Sequence, residues 1–134
     1  MGYAITEVVN KGNDSLRLVK KYKEIFDYYH SITPDFIDAT FIRNHDQSRT
    51  LTELNGDVDK MKLAVSILMS LPGTPYIYQG EEIGMLGPKI DQDRGQRESF
   101  VWDLPGKDAA QSNWYPSTYS TALTVKPANQ QVLD

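Results

Sequence analysis

The 134 residues contain no cysteine, which excludes a disulfide scaffold, a thiolate zinc site and a cysteine nucleophile. The compartment stays open, because a large secreted domain can do without disulfides. Positive charge is also short. Fourteen Lys and Arg against 18 Asp and Glu give a net charge of −4, so the basic footprint that grips a phosphate backbone is missing and nucleic acid is not an expected partner. No apolar run approaches the roughly 20 residues needed to span a bilayer. The opening Met1-Gly2-Tyr3-Ala4-Ile5-Thr6-Glu7 shows neither the basic nor the apolar stretch of an export signal. For a longer parent that leaves localisation open among secreted, periplasmic and cytoplasmic. There is no internal repeat and no low-complexity run. The composition that is present, 40% hydrophobic and 24% charged, is that of one ordinary globular domain.

Hydrophobic spacing predicts the elements. Tyr3 to Val9 reads as a short amphipathic helix ending at Lys11-Gly12-Asn13. Over Ser15 to Tyr29, the residues Leu16, Val19, Tyr22, Phe26 and Tyr29 recur at three- and four-residue steps, with Asn13 or Asp14 as N-cap and Thr33-Pro34 as the stop. Arg17, Lys20, Lys21 and Lys23 fall between them, so one face of this helix is expected to be buried. Asp35 to Ile42 is aromatic and β-branched and reads as a strand. Asn55-Gly56 marks a turn, after which Asp57 and Asp59 suit the positive end of a helix. The stretch Met61 to Leu71 in that helix is apolar nearly all round and is expected to be buried on every side. Pro72-Gly73 ends it, and Thr74 to Gly80 reads as a second strand, which Pro75 can open. Helix, strand, helix, strand at this spacing is the rhythm of a parallel α/β sheet. From Gly84 onward both periodicities stop. An irregular stretch this long is expected to be a functional loop or a segment separated from what it packs against.

Seven polar residues, Arg43-Asn44-His45-Asp46-Gln47-Ser48-Arg49, crowd the exit of the first strand. Together with Pro72-Gly73-Thr74-Pro75-Tyr76-Ile77-Tyr78-Gln79-Gly80-Glu81-Glu82-Ile83-Gly84-Met85 downstream, this strand exit resembles the α-amylase family of glycoside hydrolases. Arg97-Glu98-Ser99-Phe100-Val101-Trp102 is similar to the Arg-Glu-Pro-Phe-x-Trp loop of that family, with Ser99 in place of proline.

The resemblance implies an α/β fold, a partial (β/α)8 TIM barrel, of which this chain holds the last two strands with their helices plus an irregular C-terminal loop region. Residues 1–102 would be the C-terminal portion of the catalytic barrel, and 103–134 a loop segment leading toward a C-terminal β domain. His45 and Asp46 would be the site pair. Asp46 stabilises the transition state by clamping sugar hydroxyls, and His45 adds a hydrogen bond to the same ring. The implied substrate is an α-glucan or malto-oligosaccharide cleaved with retention. The nucleophile and general acid lie on the fourth and fifth strands, upstream of Met1, and no Arg-x-Asp or strand-ending Glu of that kind occurs here. The isolated chain is therefore expected to be inactive, with the remainder of the barrel as the partner it needs to fold. Neither a metal nor a cofactor is expected in this segment, and calcium is left open for the parent. The choice among endo-amylase, oligo-1,6-glucosidase and transglycosylase is also left open.

The physical logic stands apart from the family. Glycosidic cleavage passes through an oxocarbenium-like state with a flattened ring, and hydrogen bonds that tighten in that state raise turnover rather than ground-state affinity. An ionised carboxylate such as Asp46 makes strong charge-assisted bonds to vicinal hydroxyls. Other polar residues have plainer readings. Glu81 and Glu82, adjacent at a strand end, are expected to point apart and to cap or pair rather than catalyse. His30 belongs at a helix C-terminus. Arg49 and Arg97 either brace loops through carboxylates or border the sugar cleft, with Arg97 a candidate substrate contact, and Arg43 stays undecided between these. Asp91-Gln92-Asp93-Arg94-Gly95 has its glycine one position too early for a calcium loop and no bidentate Glu after it. Of Tyr76, Tyr78, Trp102, Trp114 and Tyr115, most are expected to fill core or anchor loops, and Trp102 is the candidate to line the cleft.

Two other function classes compete. His45-Asp46 could belong to an HD-type metal phosphohydrolase, which requires an all-helical setting with an earlier His and a later Asp as ligands. Alternatively the chain is a binding or assembly module that docks on a partner. Two neighbouring strands of a closed barrel have open edges, and such a barrel takes about 250 residues, so low solubility and no cooperative melt are expected of the chain alone.

Overall fold

The computed structural model describes residues 1–90 and 92–132. In chain order it contains helix α1 (Gly2–Lys11), helix α2 (Leu18–Ile32), strand β1 (Ala39–Phe41), helix α3 (Thr50–Glu53), helix α4 (Val58–Ser70), strand β2 (Thr74–Tyr76) and helix α5 (Ala128–Gln131). Two 3-10 turns, Glu81–Ile83 and Gly95–Arg97, come after β2. The strands run parallel, with Ala39 opposite Thr74, Thr40 opposite Pro75 and Phe41 opposite Tyr76. Parallel neighbours need a long crossover, and α3 and α4 supply it.

The helices pack on one another and on the exit of β1 through one apolar cluster. Ile5 and Val9 of α1, Leu18 of α2, Ile42 after β1, Leu51 and Leu54 around α3, and Met61, Ala64 and Leu68 of α4 are buried together. Helix α1 ends as its sequence predicts: Gly12 takes a left-handed conformation at φ 64° and its N–H returns to the Val8 carbonyl at 3.0 Å. Its start is equally constrained. A Cβ on Gly2 would lie 1.8 Å from the Ile42 carbonyl oxygen, so glycine lets α1 sit directly on the exit of β1. That contact brings the helix to the polar segment beyond the strand.

Helix α2 begins three residues later than the periodicity predicts. Arg17 is left-handed at φ 51°, which breaks the helical phase ahead of Leu18, and the Asp14 carboxylate accepts the Leu18 N–H at 2.6 Å in the manner of a cap. The inner face runs through Leu18 and Tyr22, both buried, while Val19, expected inside, is 75% exposed and Tyr29 is also exposed, so only a narrow side of α2 is covered. Helix α4 corrects a second expectation. Asp57 caps it by accepting the Lys60 N–H at 3.0 Å, but only the stripe Met61, Ala64 and Leu68 is buried. Leu63 and Met69 on the opposite side are more than half exposed, because α1 and α3 pack on one face and no described element covers the other. Both strands are shorter than the sequence pattern predicts: Asp35 to Asp38 and Ile77 to Gly80 lie outside the ladder.

The stretch after Gly84 has little regular structure yet is tied down by side chain to backbone bonds. The Ser120 hydroxyl donates to the Leu86 carbonyl at 2.6 Å, and the Gln131 amide to the Ile83 carbonyl at 3.0 Å. Glu98, almost fully buried, accepts the N–H groups of Thr118 at 2.5 Å, Tyr119 at 3.0 and 3.1 Å and Ser120 at 2.6 Å. One carboxylate thus organises a turn 20 residues downstream.

Candidate functional site

The segment Arg43 to Arg49 leaves β1 as a turn in which Asn44 anchors the next three residues. Its side-chain oxygen accepts the Asp46 N–H at 3.0 Å, and its carbonyl accepts the Gln47 N–H at 3.2 Å. This Asn-x-x geometry is the ordinary way a short amide stabilises a turn, and it presents His45 and Asp46 outward. Both side chains are about 60% exposed, with His45 Nε2 3.5 Å from Asp46 Oδ1.

Arg97 closes on the pair from the 3-10 turn Gly95–Arg97. Its Nη2 donates to Asp46 Oδ1 at 3.0 Å and its Nε to the His45 carbonyl at 3.0 Å. Asp93 Oδ2 stands 3.7 Å from the same guanidinium. The neighbouring Gln96, fully buried, donates its amide to the His45 carbonyl at 3.2 Å and to Asp93 Oδ1 at 3.0 Å. Asp46 thus keeps one oxygen engaged and the group as a whole faces solvent: a carboxylate, an imidazole and a guanidinium on one exposed rim. Such a set can accept from and donate to adjacent hydroxyls of a polyol.

A buried polar layer underlies this rim. Arg49, with no exposed surface, donates to the Gln79 carbonyl at 2.5 Å and to the Glu98 carbonyl at 3.4 Å, and lies over the Tyr78 ring at 4.7 Å. It braces the exits of both strands, the first of its two expected roles, but through carbonyls and a ring rather than a bound carboxylate. Burial lowers its guanidinium from the ordinary value, against the opposing pull of Tyr78, Glu81 and Glu98. Glu81 accepts the Thr50 hydroxyl and, at 3.1 Å, the Tyr78 N–H. Burial raises its carboxyl above the usual range, and the bonds from Thr50 and Tyr78 and the charge of Arg49 work in the other direction. The Tyr78 hydroxyl donates to the Gln96 backbone carbonyl at 2.9 Å, and burial raises it as well, ahead of the lowering effect of Arg49 and Arg97. Glu82 accepts the Gly80 N–H at 2.6 Å. The two glutamates therefore serve the β2 exit separately and do not form a pair of acids.

The remaining candidates separate. Trp102 is more than half exposed, lies 4.3 Å from the Phe100 ring and lines a concavity of about 390 Å³ with Asp103, Lys107 and Ala128. None of these contacts belongs to the His45, Asp46 and Arg97 group. Arg43 is buried and reaches Thr6 Oγ1 at 2.9 Å and Glu53 at 3.7 Å, which ties α1 to α3. His30 sits in the last turn of α2 against Phe26, ring centres 4.2 Å apart. In the stretch considered as a calcium loop, Asp91 lies outside the described residues, and Asp93 is engaged by Gln96 and Arg97. The all-helical setting of an HD-type centre is not found around His45, which comes after a parallel strand, and among the described residues no three His, Cys, Asp or Glu side chains converge. Gln96 carries no functional signal in the sequence, and Glu98 carries only its place in the Arg97 to Trp102 motif, which does not report what it binds. Apart from Asp93, three residues from Gln96, their side-chain partners lie 20 to 51 residues away, and the two residues flank Arg97.

Known proteins resemble this chain along most of its length. A family model described as the catalytic domain of alpha amylase matches residues 4–115. Alpha-amylase 3 of Dictyoglomus thermophilum is 46% identical over 100 residues, 75% of this chain and 19% of that protein. Alpha-amylase SusG of Bacteroides thetaiotaomicron is 36% identical over 116 residues, 84% of this chain and 16% of that protein. The crystal structure of an alpha-amylase from H. orenii superposes on 99% of this chain and 26% of its own length, with a TM-score of 0.85 and 33% identity. The chain spans less than a fifth of the length of these two curated relatives. With most of its residues inside that family model and its fold superposable on a solved member, this chain belongs to the alpha-amylase family of glycoside hydrolases.

Proposed function

We propose that this chain forms the rim of an α-glucan cleaving site in which Asp46 and His45 stabilise the transition state of a retaining hydrolysis of α-linked glucan or malto-oligosaccharide. In this reading β1 and β2 are the seventh and eighth strands of a (β/α)8 barrel, whose working residues cluster at the C-terminal ends of its strands. The observation that carries it is the His45–Asp46 pair held outward just beyond β1, with Arg97 fixing one carboxylate oxygen. Among the described residues Oδ2 has no partner and can take a sugar hydroxyl, while the imidazole, 3.5 Å from the Oδ1 that Arg97 engages, is placed to serve a neighbouring hydroxyl. Bonds of this kind shorten as the ring flattens, so they lower the barrier more than they strengthen binding. Arg97 stands beside the same ring position and is a second polar contact for it.

Retention requires two further carboxyl groups about 5 Å apart, one nucleophile and one proton donor. We assign them to the part of the barrel beyond this chain, since the carboxylates of Glu81 and Glu98 are buried and committed to local bonds. The test uses the whole enzyme that carries this segment. Asp46→Asn is expected to lower kcat about 100-fold or more, the scale of removing one preorganised transition-state contact, with KM changed by no more than a few-fold. A rise in KM with kcat preserved would refute the assignment. The pure 134-residue chain is expected to leave nitrophenyl-maltoside intact, and clear turnover by it would refute the placement of the nucleophile and acid elsewhere.

A further inference from the structure

We infer that Gln96 is a positioning residue for Asp46, acting through the peptide group that joins His45 to Asp46; the inference rests on the role given to Asp46 above. That peptide plane is pinned at both ends. Its oxygen, the His45 carbonyl, receives the Gln96 amide at 3.2 Å and the Arg97 Nε at 3.0 Å, and its N–H, that of Asp46, donates to Asn44 at 3.0 Å. Rotating the plane would swing the Asp46 carboxylate, so whatever fixes the plane aims the acid.

Of the two donors on that oxygen, Gln96 is the permanent one. Arg97 is about 40% exposed and is shared among His45, Asp46 and Asp93, so an arriving polyol can compete for it. Gln96 has no exposed surface, and its backbone carbonyl is held by the Tyr78 hydroxyl. The orientation of the amide is dictated by chemistry. Both neighbours, the His45 carbonyl and Asp93 Oδ1, can only accept, so the nitrogen must face them. This leaves Gln96 Oε1 buried with no donor among the described residues. A buried acceptor of that kind costs stability, and an apolar residue of the same shape would avoid the cost. Glutamine at this point is explained by what its nitrogen holds, not by the fold it sits in.

Gln96→Met keeps the length and removes both polar atoms. In the whole enzyme it is expected to leave Tm unchanged or raised, to lower kcat about tenfold, the effect of losing one net hydrogen bond, and to leave KM for malto-oligosaccharide near the wild-type value. Inhibition by acarbose, whose half-chair ring imitates the flattened sugar, should weaken in step with kcat, while maltose binding should not change. Placed on Asp46→Asn, the same substitution should cost nothing further, since a residue that acts through Asp46 has nothing left to aim. Wild-type kcat for Gln96→Met, or losses that multiply with those of Asp46→Asn, would overturn the inference. Wild-type kcat for Asp46→Asn alone would instead overturn the role of Asp46 and the inference with it, so the two failures are distinguishable. If Gln96→Met does not fold, Asp93→Gly carries the test, because glycine suits the φ of 65° there and the change removes the second acceptor that steers the amide. A few-fold loss of kcat at constant KM is expected, and no loss would overturn the inference.

Discussion

The Glu98 cradle makes a quantitative prediction. Its Oε1 accepts Thr118 and Tyr119, and its Oε2 accepts Tyr119 and Ser120. In Glu98→Gln one oxygen becomes an NH2 group. Whichever way the amide turns, Thr118 or Ser120 loses its acceptor and faces a second donor, Tyr119 keeps one of its two contacts, and the surviving bonds lose their charge assistance. A hydrogen bond to a buried charged group is worth about 1.5 to 3 kcal/mol, so the turn should lose about 3 kcal/mol of local stability. The loss stays local, because the Ser120 hydroxyl on Leu86 and the Gln131 amide on Ile83 hold the segment independently. Amide hydrogen exchange reads this directly. Protection of Thr118, Tyr119 and Ser120 should fall about 100-fold, since each 1.4 kcal/mol is a factor of about ten, while the amides of Ala64 and Leu68 in the core helix keep their rates. Unchanged protection at 118–120, or an equal loss in α4, would refute the reasoning.

Two further outcomes, both measured on the whole enzyme that carries this segment, concern the buried layer beneath the rim. Burial raises the Glu81 carboxyl in the folded chain, so the folded state holds that proton more tightly than the unfolded one. Its contribution to stability is therefore fully present below the ordinary carboxylate range and is lost as pH rises through the elevated folded value. The difference in urea midpoint between wild type and Glu81→Gln should shift against the wild type from pH 4.5 to 8, and a shift in its favour would contradict the sign. Gly80→Ala should destabilise by about 3 kcal/mol, from a disfavoured backbone and an overfilled site. The residue has φ 96°, and a Cβ would come within 2.5 Å of Met85 Sδ and 2.7 Å of Arg49 Nη1. Thermal unfolding measures it, and a neutral result would mean that Met85 and Arg49 yield freely.

Helix existence is legible where periodicity and caps agree. Helix α1 closes at Gly12 as its sequence predicts, and Asp14 and Asp57 both accept N–H groups at helix starts. Left-handed Arg17 takes Leu16 out of phase with α2, while Val19, in the same helix as buried Leu18 and Tyr22, is exposed because an apolar pattern says which residues share a face and not how much of that face a neighbour covers. The all-round apolar stretch of α4 states that the helix can be covered on every side, not which neighbours cover it, and Leu63 and Met69 remain open here. Near the site, the crowding of polar residues after β1 marks a segment, and it is the resemblance to the α-amylase family that singles out His45 and Asp46 within it. The roles of Arg49, Gln96 and Glu98 are out of reach of the sequence, since each depends on a partner 20 or more residues distant: Gln79 for Arg49, His45 for Gln96 and residues 118–120 for Glu98.

By itself the sequence determined the family and the order of the longer helices and the two strands, without the short α3 and α5, because spacing, caps and short motifs are local properties written residue by residue. Only the tertiary structure decided which oxygen of Asp46 is engaged, which way its peptide plane faces and how a carboxylate at 98 holds a turn at 118–120. Hydrogen bonds act over about 3 Å, and no rule of local spacing brings residues from opposite ends of a chain to that distance until the core has closed.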